Sequence, residues 1–173
     1  MAHSIELTFD AATDAAVRRE WDALADAGLP SQARHRSPTN RPHVTMTVAD
    51  HIAPDVDDAL RAAAVALPLD CRLGAPLIFG RHALTFVRLV VPSEGLLALH
   101  RRLADLAAPH QRSGPFPHAR PDEWTPHVTL CRRLPPVDLP AALAVLGSDD
   151  VPGRFAGLRR WDGDARIDTV IAG

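Results

Sequence analysis

The tetrapeptide Pro-His-Val-Thr occurs twice in this chain, as Pro42-His43-Val44-Thr45 followed by Met46 and as Pro126-His127-Val128-Thr129 followed by Leu130. The copies stand almost half a chain length apart, which implies equivalent strands in two similar lobes. Side chains alternate between the two faces of a β-strand. His43 and Thr45, continued by Thr47, are therefore expected on one face, while Val44 and Met46 turn into a core; His127 and Thr129 repeat the arrangement. A lone His-x-Thr is an ordinary surface pattern. Its repetition with the same flanks makes it a candidate for a symmetric acid–base site.

The rest of the sequence supplies a framework for that pair. Residues 4–9 alternate polar and apolar as a half-buried strand does, and apolar residues from 14 to 27 recur at helical spacing, with Trp21 on the core side. Residues 31–42 are a loop whose Arg34, Arg36 and Arg41 put a positive rim before the first motif strand, 43–49. A helix over 55–67 precedes strands at 69–79 and 83–91; Gly74-Ala75-Pro76 implies a bend in the former, and His82 sits on the turn between them. A helix opening at Ser93-Glu94 carries His100 within its apolar pattern as a structural residue. The proline-rich loop 109–126 holds Phe116, His118 and Trp124; Phe116 and Trp124 are candidates to stack on a base, and Trp124 equally to anchor the loop. The second motif strand, 127–134, is followed by a helix over 137–146 and a hairpin of 153–161 with 166–171. The expected fold is α/β (α+β): a bilobal duplicated module with two mainly antiparallel sheets facing across a central cleft, helices outside, in one domain spanning 1–173.

Composition removes several function classes. Hydrophobic residues make up 46% of the 173, enough for a core. The net charge is −2 and lysine is absent. That argues against holding long nucleic acid by bulk charge, and it removes Schiff-base and P-loop chemistry, both of which need lysine. Cys71 and Cys131 have neither CxxC nor zinc-ligand spacing. No signal-like start and no apolar run near ~20 residues is present, so a cytoplasmic protein without a membrane partner is expected.

Histidine gives or takes a proton near neutral pH. Two facing histidines suit displacement at phosphorus, one activating the attacking oxygen and the other protonating the leaving oxygen. Threonine hydroxyls on the same face can donate to the non-bridging oxygens as charge builds. The scheme needs no metal or other cofactor. Neither motif contains a carboxylate or the His-Glu-x-x-His of zinc hydrolases; Asp50, His51 and His118 are the spare donors.

The two His-x-Thr motifs, each after a proline-containing loop on a duplicated framework, resemble the 2H phosphoesterase superfamily. The stretch Trp124-Thr125-Pro126-His127-Val128-Thr129-Leu130-Cys131-Arg132 resembles its 2′-5′ RNA ligase-like branch in particular. The resemblance implies a metal-independent 2′,3′-cyclic-nucleotide phosphodiesterase activity on a nucleotide or RNA-terminus substrate, with no obligate protein partner. It implies His43 and His127 as the acid–base pair, with Thr45 and Thr129 binding phosphate. Arg132 matches the family arginine that contacts phosphate, although strict alternation puts Arg133 on the His127 face, so Arg132 requires a bulge or a reach from the strand end. The sequence departs from the family where Thr47-Val48-Ala49-Asp50 replaces Phe-Leu-Gly after the first motif. A non-catalytic nucleotide or RNA-end binder using the same cleft is the alternative reading.

Overall fold

The computed structural model describes all residues from Met1 to Gly173. Its elements follow the expected order: β1 (His3–Phe9), α1 (Ala11–Asp26), β2 (His43–Ala49), α2 (Asp57–Ala63, with a 3-10 turn at each end), β3 (Leu69–Phe79), β4 (Leu84–Val90), α3 (Glu94–Ala107), β5 (His127–Leu134), α4 (Leu139–Val145), β6 (Val151–Asp162) and β7 (Ile167–Ala172).

The helix ends are set locally. The Asp10 side chain accepts from the Thr13 amide at 2.9 Å and starts α1. Gly28, at φ 77°, ends it by turning back so that its own amide reaches Ala25 O and the Leu29 amide reaches Leu24 O. Ser93 caps α3 through Leu96 N. Leu96, Leu99, Leu103 and Ala107 then recur every three to four residues and are buried, forming the face α3 lays on the sheet.

The strands are antiparallel throughout, in the order β2-β1-β6-β3-β4-β5, with β7 also on β6. The fold class stands as expected, but the two sheets are not separate: they are half-sheets joined in one seven-stranded sheet. Strand β6 is the joint. Its first part, Val151–Phe155, pairs with β3, and its second part pairs with β1 on one side and β7 on the other. Phe155 lies opposite both Phe9 and Leu69, where the two ladders meet. The register of β3 shifts between Leu73 and Pro76, at the Gly-Ala-Pro bend the sequence implied.

The sheet curls until its two ends, β2 and β5, come into contact. Each long helix reaches the far lobe: α1 packs on β5 as well as β1 and β6, and α3 packs on β2. A continuous core of 31 buried residues links both lobes. No helix is long and apolar enough to cross a membrane.

Candidate active site

Curling the sheet brings the two Pro-His-Val-Thr strands side by side. As the two ends of the sheet, β2 and β5 each have one neighbouring strand, and the outer edge of β2 is met by the loop before β5, where the Phe116 amide donates to Val48 O at 2.8 Å. Tryptophan indoles reach them in a matched way: Trp124 Nε1 donates to Thr45 O at 2.9 Å, and Trp21 Nε1 donates to Thr129 O at 3.0 Å. Trp21 is buried as expected of a core residue, and it also holds a motif strand. The other face of Trp124 is taken: it stacks on the His100 ring at 3.9 Å with an interplanar angle of 2°. His100 is buried and bonded to Ala119 O, so the pair fastens the loop before β5 to β2.

Between these strands lies a cleft of about 830 Å³, within the range of ligand sites. His43, Thr45, His127 and Thr129 all line it, while Val44, Met46, Val128 and Leu130 are buried behind them. The same backbone device orients both imidazoles. His43 Nδ1 lies 2.8 Å from Arg41 O and His127 Nδ1 lies 2.7 Å from Thr125 O, in each case the carbonyl two residues earlier. A carbonyl only accepts, so Nδ1 carries a proton in both rings and Nε2 is left for proton transfer. Arg159 also approaches His43 Nδ1, at 3.5 Å, but that nitrogen is committed as a donor, so the guanidinium is a neighbouring charge and not a bonding partner.

Alternation breaks after each motif. The β1–β2 register shifts between Ile5, opposite Thr47, and Glu6, opposite Thr45, leaving Met46 as an extra residue. In β5, Phe86 faces Cys131 and Val87 faces Thr129, leaving Leu130 as the extra residue. Two consecutive buried residues result in each strand, Met46-Thr47 and Leu130-Cys131. The bulge in β5 places Arg132 on the cleft and Arg133 off it, at φ 58°. The bulge in β2 overturns the expectation for Thr47: it is fully buried, its hydroxyl accepts from Gln111 Nε2 at 3.0 Å, and Val48 lines the cleft instead.

The loops contribute unequally. Arg41 and half-exposed Phe116 line the cleft, as does the edge of Trp124. Of the expected positive rim, Arg34 turns away to Ala25 O and Arg36 stays outside the cleft, while His35 lines it. His118 lines the cleft too, and His82 is exposed on its turn. Phe79, from the end of β3, sets its ring 4.9 Å from that of His127.

Sequence reasoning missed a buried charge pair on the cleft floor. Glu6 and Arg159 are each 5% exposed; Arg159 Nε donates to Glu6 Oε2 at 2.8 Å, and a terminal guanidinium nitrogen forms an ion pair with the same oxygen at 2.7 Å. Arg159 also donates to Thr39 O and to Asp168. Burial pushes the Glu6 carboxyl up, but the charges of His43 and Arg159 and bonds from Ser4 and Arg159 outweigh it and hold it below the usual range. The neighbouring Arg160 points to the opposite face and pairs with Asp57. On the other side of the cleft, His127 is held below its usual 6.5, first by burial and then by the charges of Arg132, His43 and His118; its bond to Thr125 O opposes them.

Two histidines and a carboxylate that could together hold a metal, His3, His51 and Asp164, group at the far end of β1 and do not line this cleft. His3 Nε2 lies between Asp164 at 3.1 Å and Asp162 at 3.3 Å, as an ion pair would.

The model of the 2′-5′ RNA ligase superfamily matches residues 13–162. The chain belongs to that superfamily. Its fold is shared with several solved structures, among them TT0787 of Thermus thermophilus (TM-score 0.59, 17% identity, 98% of this chain and 94% of that one). Usb1 of Kluyveromyces marxianus, solved with uridine monophosphate, has TM-score 0.57 at 10% identity over 99% and 97% of the two chains. Escherichia coli LigT, solved with 3′-AMP, has TM-score 0.55 at 17% identity over 97% and 92%. No curated protein sequence matches the chain. The family and the fold agree with the resemblance carried by the two motifs, and place the chain among the 2H phosphoesterases.

Proposed function

We propose that the protein is a metal-independent phosphoesterase that opens a 2′,3′-cyclic phosphate, on an RNA 3′ end or a small nucleotide, with His43 and His127 as proton donor and acceptor. The observation that carries this reading is the matched pair of imidazoles: each is tied through Nδ1 to the carbonyl two residues back, and each offers Nε2 to one cleft. The cations of Arg41 and Arg132 and the hydroxyls of Thr45 and Thr129 line the same space and suit a phosphodiester anion. Phe116 and Phe79 offer partly exposed rings for a base. Nucleotide ligands in the Usb1 and LigT structures support the substrate class.

His127, kept neutral by burial and nearby positive charge, is the base. It takes a proton from the attacking water as the new P–O bond forms. His43 gives its Nε2 proton to the ribose oxygen as the ring P–O bond breaks, leaving a phosphomonoester and a free hydroxyl. Threonine and arginine donors offset the charge on the non-bridging oxygens.

Purified protein in EDTA should convert 2′,3′-cyclic nucleotides or cyclic-phosphate RNA oligomers to monoesters, with the product isomer read by mass spectrometry and NMR. Substrate binding by calorimetry without turnover points instead to the non-catalytic alternative.

A further inference from the structure

A cleft that takes an anion has no evident use for a buried carboxylate. Glu6 lies in the floor of this one, with Oε1 3.7 Å from His43 Nε2, the nitrogen that faces the cleft. It is held firmly there. The Ser4 hydroxyl donates to Oε1 at 2.6 Å, and Arg159 occupies Oε2. Arg159 is fixed in turn by Asp168 and Thr39 O.

At 3.7 Å the carboxylate is too far to consume the Nε2 proton in a hydrogen bond, yet close enough for its charge to act strongly. The charged groups around His43 come from four strands: Glu6 from β1, Arg159 from β6 backed by Asp168 from β7, and His127 with Arg132 from β5 across the cleft. The loops add His35, Arg41, His118 and Glu123 to the cleft lining. Of these, only Glu6 brings a carboxylate oxygen within 4 Å of Nε2; Asp168 is spent on Arg159. Arg159, 3.5 Å from Nδ1, disfavours a proton on the ring, and Glu6 offsets it.

We propose that Glu6 is a positioning residue for the reaction, one whose carboxylate keeps the proton on His43 Nε2 against the adjacent Arg159 guanidinium and so makes the first histidine the donor. The proposal rests on the two-histidine reading and deepens it. It also explains why the two copies do not exchange roles: where β1 sets Glu6 opposite Thr45, β4 sets Val87 opposite Thr129, and His127 faces Arg132, His118 and the Phe79 ring.

The test compares Glu6→Gln and Arg159→Met with the unmodified protein in two measurements: pH–rate profiles on a 2′,3′-cyclic nucleotide, and substrate-free ¹⁵N imidazole titrations of His43 and His127. Loss of an opposite charge at this range moves a titration by about one to three pH units. In Glu6→Gln the alkaline limb of kcat should therefore move to lower pH by about one unit or more, with a loss of about tenfold on that side and KM little changed. In Arg159→Met, where the carboxylate acts unopposed, the same limb should move to higher pH. Opposite displacements are the signature, since purely structural damage lowers thermal stability in both variants without moving the limb in opposite senses. An unmoved limb in a folded Glu6→Gln protein, or displacement in the same sense in both variants, overturns the proposal. If Glu6→Gln does not fold with Arg159 left unpaired, the double variant Glu6→Gln/Arg159→Met replaces it: its limb should lie at lower pH than that of Arg159→Met, and coincidence of the two overturns the proposal. If the unmodified protein turns over no cyclic phosphate, the proposed function falls and the titrations still judge Glu6: a lower His43 midpoint in Glu6→Gln supports its hold on that proton, and an unchanged one refutes it.

Discussion

Replacing Trp124 with Phe asks whether the motif strands are held from their outer edges. The substitution keeps an aromatic ring beside His100 and deletes the N–H that reaches Thr45 O at 2.9 Å. A strand edge shielded by protein leaves that carbonyl without a partner, which costs about 1–3 kcal/mol. The smaller ring also gives up part of a stack whose geometry contributes about 0.5–1.5 kcal/mol beyond burial. Together the loss is about 2–3 kcal/mol, and a chain of this size loses roughly 2–4 °C of Tm per kcal/mol. Calorimetry should therefore show Tm lower by roughly 4–12 °C. Trp21→Phe removes the equivalent bond to Thr129 O from within the core, so its loss should match or exceed this one. The two bonds lie on different strands, and the double variant should lose close to the sum. Because Thr45 sits directly on the affected peptide, kcat/KM should fall in Trp124→Phe at temperatures where the protein stays folded. A Tm within about one degree of the parent, with unchanged turnover, would mean that the indole is not bracing β2.

Other perturbations probe other parts of the argument. His43→Ala and His127→Ala should each lower kcat by about 10²–10⁴-fold while EDTA leaves the parent unaffected, as followed by product release. Arg132→Ala should raise KM about tenfold or more through loss of a charge-assisted hydrogen bond, whereas Arg133→Ala, pointing off the cleft, should leave KM unchanged. Arg88 is 1% exposed and bonded to Glu20, Gly74 O and Gly147 O, so Arg88→Met strands a carboxylate and should cost about 3–5 kcal/mol by denaturant unfolding. His127 and His100 both lie below their usual 6.5, each chiefly through burial. The unfolded chain therefore binds more protons just below that value: their contribution to stability is complete above about pH 6.5 and is lost as pH falls through the lower folded values, which Tm against pH will show.

The order of elements was legible because it depends on short-range pattern. The two long helices, α1 and α3, bury one face at 3.6-residue spacing, and Asp10, Gly28 and Ser93 mark helix ends by local chemistry alone. The repeated motif was legible as a pair because its flanks repeat too. What escaped depended on register and topology. Nothing in Met46-Thr47 or Leu130-Cys131 signals an extra residue, since neither pair contains Gly or Pro. The bulges follow from pairing with β1 and β4, and only they explain why Arg132 reaches the cleft and Thr47 does not. Glu6 did stand on the polar face of an alternating strand. Its partner is 153 positions away in sequence, however, and Arg159 and Arg160 read alike until β6 sends one to each face.

The two motif strands are alike in backbone: proline entry, Nδ1 tied to the carbonyl two residues back, a bulge after the threonine, and an indole on the outer carbonyl. Their side-chain surroundings are not alike, and the proposed chemistry requires that difference. A general acid and a general base must hold opposite protonation states at the same moment. Two imidazoles in identical settings would share one proton without preference, and half of the singly protonated molecules would have it on the wrong ring. Here the corresponding positions past the bulges carry Val48 on the first strand and Arg132 on the second, and the floor beneath the first strand carries Glu6. Positive charge beside His127 and a carboxylate beside His43 act in opposite directions on the two rings. In the proposed reaction the duplicated backbone aims both Nε2 atoms at one phosphorus, and the divergent neighbours decide which of them arrives with the proton.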